Sequence, residues 1–452
     1  MNLLTTIPAG LILILAAGLS INRPLWLLGG YLVLVPLFPP LPLGQIELSM
    51  LDLLAVPAAI RIICNLSRSG FEIKGGIVKG MFILVAAAIF SYISFCFQTQ
   101  ILSAALLFRI IRLIEMFLPV ILAYQTFRDY PTHRIIKLFL IGAGLTAAVA
   151  VFMFINGISL RASQTFIEDG LEFFRAGGTH GDSGSLGSFM GVSVLVSIWT
   201  LLYYNRHGLA KWALISGGLS GLTLLMTLSR GGLILAASGV LILMMPLLRN
   251  PGKLIRAAIL SVLFVTAGSI AASKFMNHDL ITMAASEFGQ RVTGLSEISS
   301  DFETVSSHRV VHWKQGLNLY KASALAWPFG LGYKSLKLHY DTLPDNNFNQ
   351  ALFEMGVFGL LALLVMIGSG IKEGLLQYRF NRDFGLLGIA LWTGLISNMF
   401  SADVLTYWHN IPAIFILLIA IGKNAGINVD YNQYNHRYYA EYEAYNSQAN
   451  VR

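Results

Sequence analysis

The chain has 452 residues, of which 55% are hydrophobic and 12% are charged, and its net charge is +8. Soluble globular proteins carry about 25% charged residues, so this composition excludes an ordinary soluble enzyme and a disordered chain. Apolar runs of about 20 residues, the length of a membrane-crossing helix, recur along the chain and exclude an outer-membrane barrel, so we predict an all-α polytopic integral membrane protein.

Thirteen apolar spans follow one another along the sequence. They cover about residues 3–20, 25–43, 48–64, 77–97, 101–124, 135–157, 183–204, 212–228, 232–248, 255–272, 350–371, 383–402 and 406–422. The second span ends in the proline-rich run PPLP, and proline interrupts helices. We therefore predict 12 to 13 transmembrane helices.

Basic linkers alternate with linkers that together carry more acidic than basic residues. Basic linkers are retained in the cytoplasm, so the positive charge indicates membrane orientation rather than nucleic-acid binding. The outer face then receives a loop at 158–182, a turn at 229–231, a segment at 273–349 and a turn at 403–405. We predict one membrane domain over residues 1–422 and a disordered cytoplasmic tail over residues 423–452, which is rich in Tyr and Asn.

The outer segment at 273–349 is the longest stretch outside the spans, with 77 residues. We predict short helices within it. The spacing of Val310, Val311 and Leu317 favours a helix over about residues 308–320 that lies on the membrane surface.

The sequence contains no P-loop, no metal-ligand spacing and no known hydrolase motif, so we expect neither a metal nor a cofactor. Charged residues within spans remain as candidates, because charge in a membrane is costly unless it is used. Arg109, Arg112 and Glu115 lie on one side of the fifth span, and Glu115 can neutralise only one guanidinium. Either an internal Arg–Glu pair holds helices together, or the residues line a cavity for an anionic headgroup.

Two glycine-containing motifs come next in the chain. In SRGG at residues 229–232, Arg230 is placed at the outer surface, where snorkelling at a helix end is the simpler explanation. Residues 175–187 combine Arg175, His180 and Asp182 with several glycines. A flexible loop that enters a helix, with a small-residue packing patch, would explain the second motif without a ligand.

Three further motifs surround the end of the outer segment. The first is HRVVHW with Arg309, His312 and Trp313, and the second is WPFGLG at residues 327–332. The third, PDNNFNQALFEMGVFG, holds Asp345, Asn346, Asn347 and Glu354 and leads into the next span. Polar residues at a helix start can bind anions or hold a general base.

The order of these motifs resembles that of the O-antigen ligase and Wzy-type polymerase superfamily. The resemblance covers about residues 175–370 and consists of SRGG, R-x-x-x-W, P-x-G-x-G and an Asn-rich turn before E-x-G. It implies a GT-C-like glycosyltransferase of the bacterial inner membrane that needs no metal and acts at the periplasmic face. The donor would be an undecaprenyl-pyrophosphate-linked oligosaccharide. Ligases transfer the glycan to lipid A core, and polymerases transfer it to another carrier-linked repeat unit.

By this resemblance Arg230 and Arg309 take the places of the two family arginines that bind pyrophosphate. Guanidinium groups suit this task because they bind phosphate oxygens bidentately and stabilise the charge of the leaving group. Membrane lipids and, by resemblance alone, a chain-length regulator are the expected partners. Further predicted contacts to the pyrophosphate or glycan are Arg175, Arg109, Arg112, His312, Trp313, Asn346, Asn347 and Glu354.

Two departures from the family pattern bear on the reaction. Nine residues before Glu354, ligases show His followed by Asn, whereas this chain has Asp345 followed by Asn346. The family's Pro-Asn is also missing after Gly178, where His180 is found instead. We predict that Asp345 or His180 is the base, that the reaction inverts the anomeric centre and that a polymerase is favoured over a ligase. A transporter of lipid-linked glycans is the remaining alternative, although the paired repeats of transporters are absent from the sequence.

Overall fold

The computed structural model describes residues 23–43, 46–69, 75–126, 131–160, 165–168, 171–204, 208–249, 252, 255, 309–344 and 346–423. Within these ranges the main helices are α1 Pro24–Leu37, α2 Met50–Ser69, α3 Gly76–Thr99, α4 Ala104–Thr126, α5 Thr132–Ile155, α6 Ser183–Tyr203, α7 Leu209–Thr227, α8 Arg230–Met244, α9 Arg309–Lys321, α10 Ala326–Phe329, α11 Ser335–His339, α12 Asn347–Phe380, α13 Arg382–Met399 and α14 Ile411–Lys423. Two short antiparallel hairpins pair β1 Leu41–Leu43 with β2 Ile46–Leu48, and β3 Thr165–Glu168 with β4 Leu171–Phe174.

The described residues confirm an all-α, multi-pass membrane protein. Seven of their helices are long and apolar enough to cross a membrane. Eleven of the thirteen predicted spans coincide with a described helix. The span at 3–20, the span at 255–272 after its first residue, the 273–308 stretch and the tail after residue 423 lie outside the described residues. The total of 12 to 13 crossings stays a prediction.

Helix α14 lies in the interior of the bundle because it has no polar face. Its hydrophobic side chains from Ile411 to Ile421 are at most 4% exposed. A helix that is apolar on all sides must be covered by other elements or by lipid. Here α4, α5 and α13 lie against α14 and cover it.

Helix α6 is also deeply buried, but for a different reason. Its sequence is rich in Gly and Ser, and small residues allow neighbouring helices to approach closely in a membrane. Ser193 Oγ lies 3.1 Å from Ser216 Oγ and accepts a hydrogen bond of 2.8 Å from Ser220 Oγ. These hydroxyl contacts hold α6 against α7.

Hydrogen bonds between distant residues identify one end of the bundle, which we call the site end. There Thr179 Oγ1 donates to Pro36 O at 2.7 Å, and Asn410 Nδ2 donates to Ser185 O at 2.6 Å. The site end gathers the described parts of the connections at 36–49, 99–103, 156–182, 228–230, 309–346 and 400–410. These include the connections that the charge pattern assigns to the outer face.

The opposite end, which we call the basic end, gathers the linkers that the charge pattern assigns to the cytoplasm. Gly76 N donates to Glu373 Oε1 at 2.8 Å, which joins the start of α3 to the last turns of α12. Thr132 Oγ1 donates to Ala420 O at 3.2 Å, which joins the start of α5 to the end of α14. The helices therefore alternate in direction in the order that the linkers predict.

Four elements differ from their predicted form. The second span is helical only to Leu37, because the prolines at 39, 40 and 42 cannot donate ladder hydrogen bonds, and a hairpin follows. The last span begins at Ile411 rather than near 406, because residues 404–406 form a 3-10 turn whose Thr406 Oγ1 is bonded to Asp403 O. Helix α12 contains a break at Gly356, where φ is +70°. The loop at 158–182 also contains the β3–β4 hairpin.

Candidate functional site

The SRGG turn is fixed at the site end by close backbone contacts. Ser229 caps α8 by accepting a hydrogen bond of 3.2 Å from Gly232 N. A Cβ at Gly232 would collide with the carbonyl group of Gly187 on α6, so the α6–α8 crossing requires glycine at this position. This arrangement leaves Arg230 exposed at the first position of α8.

Arg175 lies beside this turn, but its guanidinium is bound to main-chain oxygens. Nε donates to Thr227 O at 3.0 Å and Nη2 donates to Leu228 O at 3.2 Å. These carbonyls belong to the end of α7, where the helix dipole favours a cation. In this structure Arg175 therefore stabilises the approach to SRGG, and its predicted contact with the ligand stays a prediction.

His180 is buried, with 2% of its surface exposed. Its Nδ1 lies 3.1 Å from Ser185 Oγ, and its ring stacks on His409 with centroids 4.8 Å apart and planes inclined by 13°. Burial disfavours the charged ring and lowers the pKa of His180 to about 3. A general base must reach the hydroxyl that it deprotonates, so this position argues against His180 as the base and favours a positioning role.

Arg112 is paired inside the bundle. Its Nη2 lies 3.0 Å from Asp52 Oδ1, its Nε lies 3.5 Å from Glu115 Oε2, and its Nη1 donates to Ser49 Oγ at 2.7 Å. These contacts correspond to the first of the two sequence interpretations, an internal ion pair that holds helices together. The partner Asp52 lies on α2, so the residue spacing within α4 could not have indicated it. Arg109, one turn nearer the start of α4, is exposed.

The P-x-G-x-G loop at residues 328–332 docks onto the break in α12. Leu331 N donates to Phe353 O at 2.9 Å, and Gly332 N donates to Glu354 O at 3.0 Å. A Cβ at Gly356 would collide with Pro328 O, and the positive φ there also favours glycine. Two motifs that are separate in the sequence therefore form one unit in the fold.

Glu354 contributes to this unit from a fully buried position. Its exposed fraction is 0%, and its Oε2 accepts a hydrogen bond of 3.0 Å from Lys334 N. This carboxylate thus holds the loop in place. A direct contact between Glu354 and a substrate would need a rearrangement of this loop.

The Asn-rich turn anchors the start of α12. Asn346 Oδ1 caps the helix by accepting from Asn349 N at 2.7 Å. Asn347 Oδ1 accepts from Leu405 N at 3.3 Å. Asp345, the predicted base, is the chain neighbour of this cap and lies outside the described residues, as does His308.

Helix α9 carries the R-x-x-x-W motif, and the helix that the apolar spacing predicts is present at Arg309–Lys321. Arg309 is its first residue and is partly exposed. His312 Nδ1 lies 3.1 Å from Thr342 Oγ1, which ties α9 to the residues that precede α12. Trp313 is partly buried, and its Nε1 has no hydrogen-bond partner within the part of the chain that the structure describes.

Residues 403–410 connect these parts, although the sequence indicated a turn at 403–405 and an apolar span from 406. Asp403 Oδ2 lies 2.8 Å from Lys334 Nζ. The ring of Trp408 stacks on His409 with centroids 3.4 Å apart, and the guanidinium carbon of Arg112 lies 5.0 Å from the centroid of Trp408. The signal that could have indicated this role is the density of polar and aromatic residues in DVLTYWHN at the start of an apolar span.

A small cavity lies between the helices beneath this connection. Among the described residues it is lined mainly by apolar side chains, with Tyr333, Asn347 and Gln350 as the polar exceptions. It has room for about one water molecule and is too small for a sugar. This cavity is therefore no binding site for a glycan.

The predicted site residues that the structure describes thus lie at one end of the bundle, and those discussed above separate into two kinds. Arg230, Arg309 and Arg109 are exposed or partly exposed, whereas Arg112, Arg175, His180 and Glu354 are engaged in internal contacts. In the described ranges no group of three or more His, Cys, Asp or Glu side chains is arranged to hold a metal ion.

Residues 215–364 match the family model described as O-antigen ligase. The matched stretch is about a third of the chain, and it runs from α7 into α12. It includes Arg230, Arg309 and Glu354 and leaves out His180 and residues 403–410. The match confirms the resemblance to the O-antigen ligase and Wzy-type superfamily over this stretch. A comparison with curated proteins finds no match.

Proposed function

We propose that this membrane protein is a glycosyltransferase that polymerises a bacterial surface polysaccharide. The observation that carries the proposal is the convergence of the matched motifs at the site end, where residues 328–332 and the E-x-G stretch are joined by main-chain hydrogen bonds. Side chains that come from separate helices and are held at fixed positions can orient the reacting groups for group transfer. Lipid-linked glycans are the substrate class that the matched family suggests.

Arg230 and Arg309 are proposed to bind the pyrophosphate of an undecaprenyl-linked donor. Arg230 is the first residue of α8, a position where the helix dipole disfavours a cation. Arginine at this position is therefore unfavourable for the helix itself, and an anionic ligand would offset that cost. Two guanidiniums would stabilise the charge that develops on the leaving group without a divalent metal.

The acceptor is proposed to be a sugar hydroxyl at the end of another carrier-linked repeat unit. Of the two predicted bases, Asp345 is favoured because His180 is buried under His409. Attack from the face opposite to the leaving pyrophosphate would invert the anomeric centre. The reaction is proposed to take place at the periplasmic face of the bacterial inner membrane, with a chain-length regulator as a possible partner.

Transfer to lipid A core is the second candidate function. The description of the matched family model, O-antigen ligase, favours it. Asp345 in place of the expected His favours the polymerase instead. The two functions share the donor and differ only in the acceptor.

The test is a reconstitution in nanodiscs with undecaprenyl-pyrophosphate-linked repeat units, with products separated by size. We expect a ladder of longer carrier-linked glycans from the wild-type protein. We expect Arg309→Ala to reduce the rate about 100-fold or more, in line with the loss of a donor that stabilises a transition-state charge. Arg379→Ala is the matched control, since Arg379 is an exposed arginine at the basic end of α12.

The outcomes separate the candidates. Transfer that occurs only after lipid A core is added would identify a ligase, and no transfer to either acceptor would overturn the glycosyltransferase proposal. Equal losses in the Arg309→Ala and Arg379→Ala proteins would overturn the role of Arg309. Full activity in Asp345→Asn would remove Asp345 as the base.

A further inference from the structure

Lys334 and Asp403 form an ion pair that the sequence motifs do not contain. Lys334 Nζ lies 2.8 Å from Asp403 Oδ2, and the two side chains are 19% and 31% exposed. Thr406 Oγ1 donates to the same oxygen at 2.9 Å. The pair therefore joins the loop before α11 to residues 403–410 at the start of the last helix connection.

The backbone conformation of Lys334 is imposed by its surroundings. Its φ is +64°, in the left-handed region, which a residue with a Cβ adopts at a cost in free energy. Its N–H donates to Glu354 Oε2 at 3.0 Å. Glycine would adopt this backbone more easily, so the presence of lysine suggests that the side chain has a task of its own.

Burial alone would raise the pKa of Asp403, but the nearby Lys334 ammonium and the hydrogen bonds from Lys334 and Thr406 outweigh burial and lower it. The Asp403 carboxylate is therefore charged at neutral pH. Glu354 is the other acidic group on this side, and it is bound to the Lys334 backbone. A charged, partly buried pair held by additional hydrogen bonds is a defined contact rather than a loose surface pair.

The two sides of the pair carry different parts of the candidate site. On the Lys334 side, residues 328–334 lie between α9, which begins with Arg309, and the Asn346 cap of α12. On the Asp403 side, residues 403–410 reach Arg112 and His180 through Trp408 and His409. The ion pair is thus a direct side-chain connection between these two parts.

We propose that Lys334 is a positioning residue, whose ion pair with Asp403 holds residues 328–344 against residues 403–410 and so fixes the part of the site that carries Arg309. The expected change in kcat rests on the proposed glycosyl transfer, whereas the expected loosening of residues 330–334 does not. Small errors in the placement of reacting groups have large effects on rate, so loss of the pair lowers kcat more than it raises KM.

The test uses the full-length protein in nanodiscs and two readouts. The first is deuterium exchange of the amides at residues 330–334, whose donors Leu331, Gly332 and Lys334 are bonded to α12. The second is the polymerisation rate. The variants are Lys334→Met, Asp403→Asn, the double variant, Lys334→Gly and Lys334→Arg, and Lys337→Met is the matched control because Lys337 is an exposed lysine of the same segment.

We expect exchange about fivefold faster in Lys334→Met and in Asp403→Asn, with no further increase in the double variant, as for two partners of one contact. Lys334→Gly relieves the backbone but removes the ammonium, so it is expected to follow Lys334→Met, while Lys334→Arg restores part of the protection. We expect kcat to fall about tenfold with a change in KM below about threefold. Lys337→Met is expected to match the wild type in both readouts.

Unchanged exchange in both single variants would overturn the proposal, as would wild-type behaviour of Lys334→Gly. Faster exchange with unchanged kcat would overturn the positioning role. A wild-type protein without glycosyl transfer would count against the proposed function alone, because the exchange readout does not depend on activity.

Discussion

At the scale of single residues, burial separates the side chains that can meet a substrate from those that support them. His180 shows this most clearly, since a histidine next to glycines in the sequence suggests an accessible base. In the fold its ring is covered by His409 and Phe189. The centroid of the His180 ring lies 4.8 Å from that of His409 and 5.7 Å from that of Phe189. This burial favours a role for His180 in the stability of the fold over a role in proton transfer.

The lowered pKa of His180 predicts how stability depends on pH. The unfolded chain binds a proton at His180 below its ordinary pKa of 6.5, whereas the folded protein does so only near pH 3. The stability that this difference provides is fully present above pH 6.5 and is lost as the pH falls towards 3, at up to about 1.4 kcal/mol per pH unit.

Thermal unfolding in detergent between pH 7 and pH 4.5 measures this dependence. We expect the melting temperature of His180→Phe, which keeps an aromatic ring but cannot titrate, to fall less steeply with pH than that of the wild type. Parallel curves for the two proteins would contradict the assignment.

At the scale of elements, the break in α12 is the feature that organises the site. Gly356 interrupts the helix, and the P-x-G-x-G loop uses the main-chain oxygens of Phe353 and Glu354. A main-chain group left without a partner in an apolar environment is costly, so the break and the loop depend on each other. The same hydrogen bonds fix the loop that connects α10 to α11.

Substitution of Gly356 tests this dependence. In Gly356→Ala the new Cβ would collide with Pro328 O, and the positive φ would cost about 1–2 kcal/mol in addition. We expect a lower melting temperature by tryptophan fluorescence and loss of activity. Gly368→Ala is the control. Gly368 lies on the same helix, and a Cβ there would meet no neighbouring atom within 4 Å. Equal melting temperatures for the two variants would refute the docking of the loop on the break.

At the scale of the whole molecule, helix order and charge distribution give the same orientation. The connections at the site end include those that the charge pattern assigns to the outer face, and the basic end gathers the basic linkers. Positive charge is retained in the cytoplasm, so the site end is expected to face away from it.

Cysteine labelling in intact cells checks this orientation. In a Cys64→Ser, Cys96→Ser background, Lys337→Cys at the site end should react with a membrane-impermeant maleimide added outside. Arg382→Cys at the basic end should react only after the membrane is permeabilised. Both positions are exposed or partly exposed, and the reverse pattern would invert the proposed topology.

The sequence by itself determined the class of protein and the places of most helices. An apolar run in a bilayer must satisfy its backbone within one segment, so composition alone specifies helices such as α5 and α6 within a few residues. The charges of the linkers indicated which helix ends lie on the same side of the membrane. The motif order also identified Arg230 and Arg309 as the candidates that remain accessible in the fold.

Only the tertiary structure decided which distant residues meet. The pairing of Arg112 with Asp52, the burial of His180 under His409 and the contact between Lys334 and Asp403 each join segments far apart in the chain. No local pattern encodes such pairs, because they depend on how helices cross and on where α12 breaks. The free energies of burial and of ion pairing depend on the neighbours that the folded chain places around a side chain. The residues that support the site could therefore be identified only from the fold.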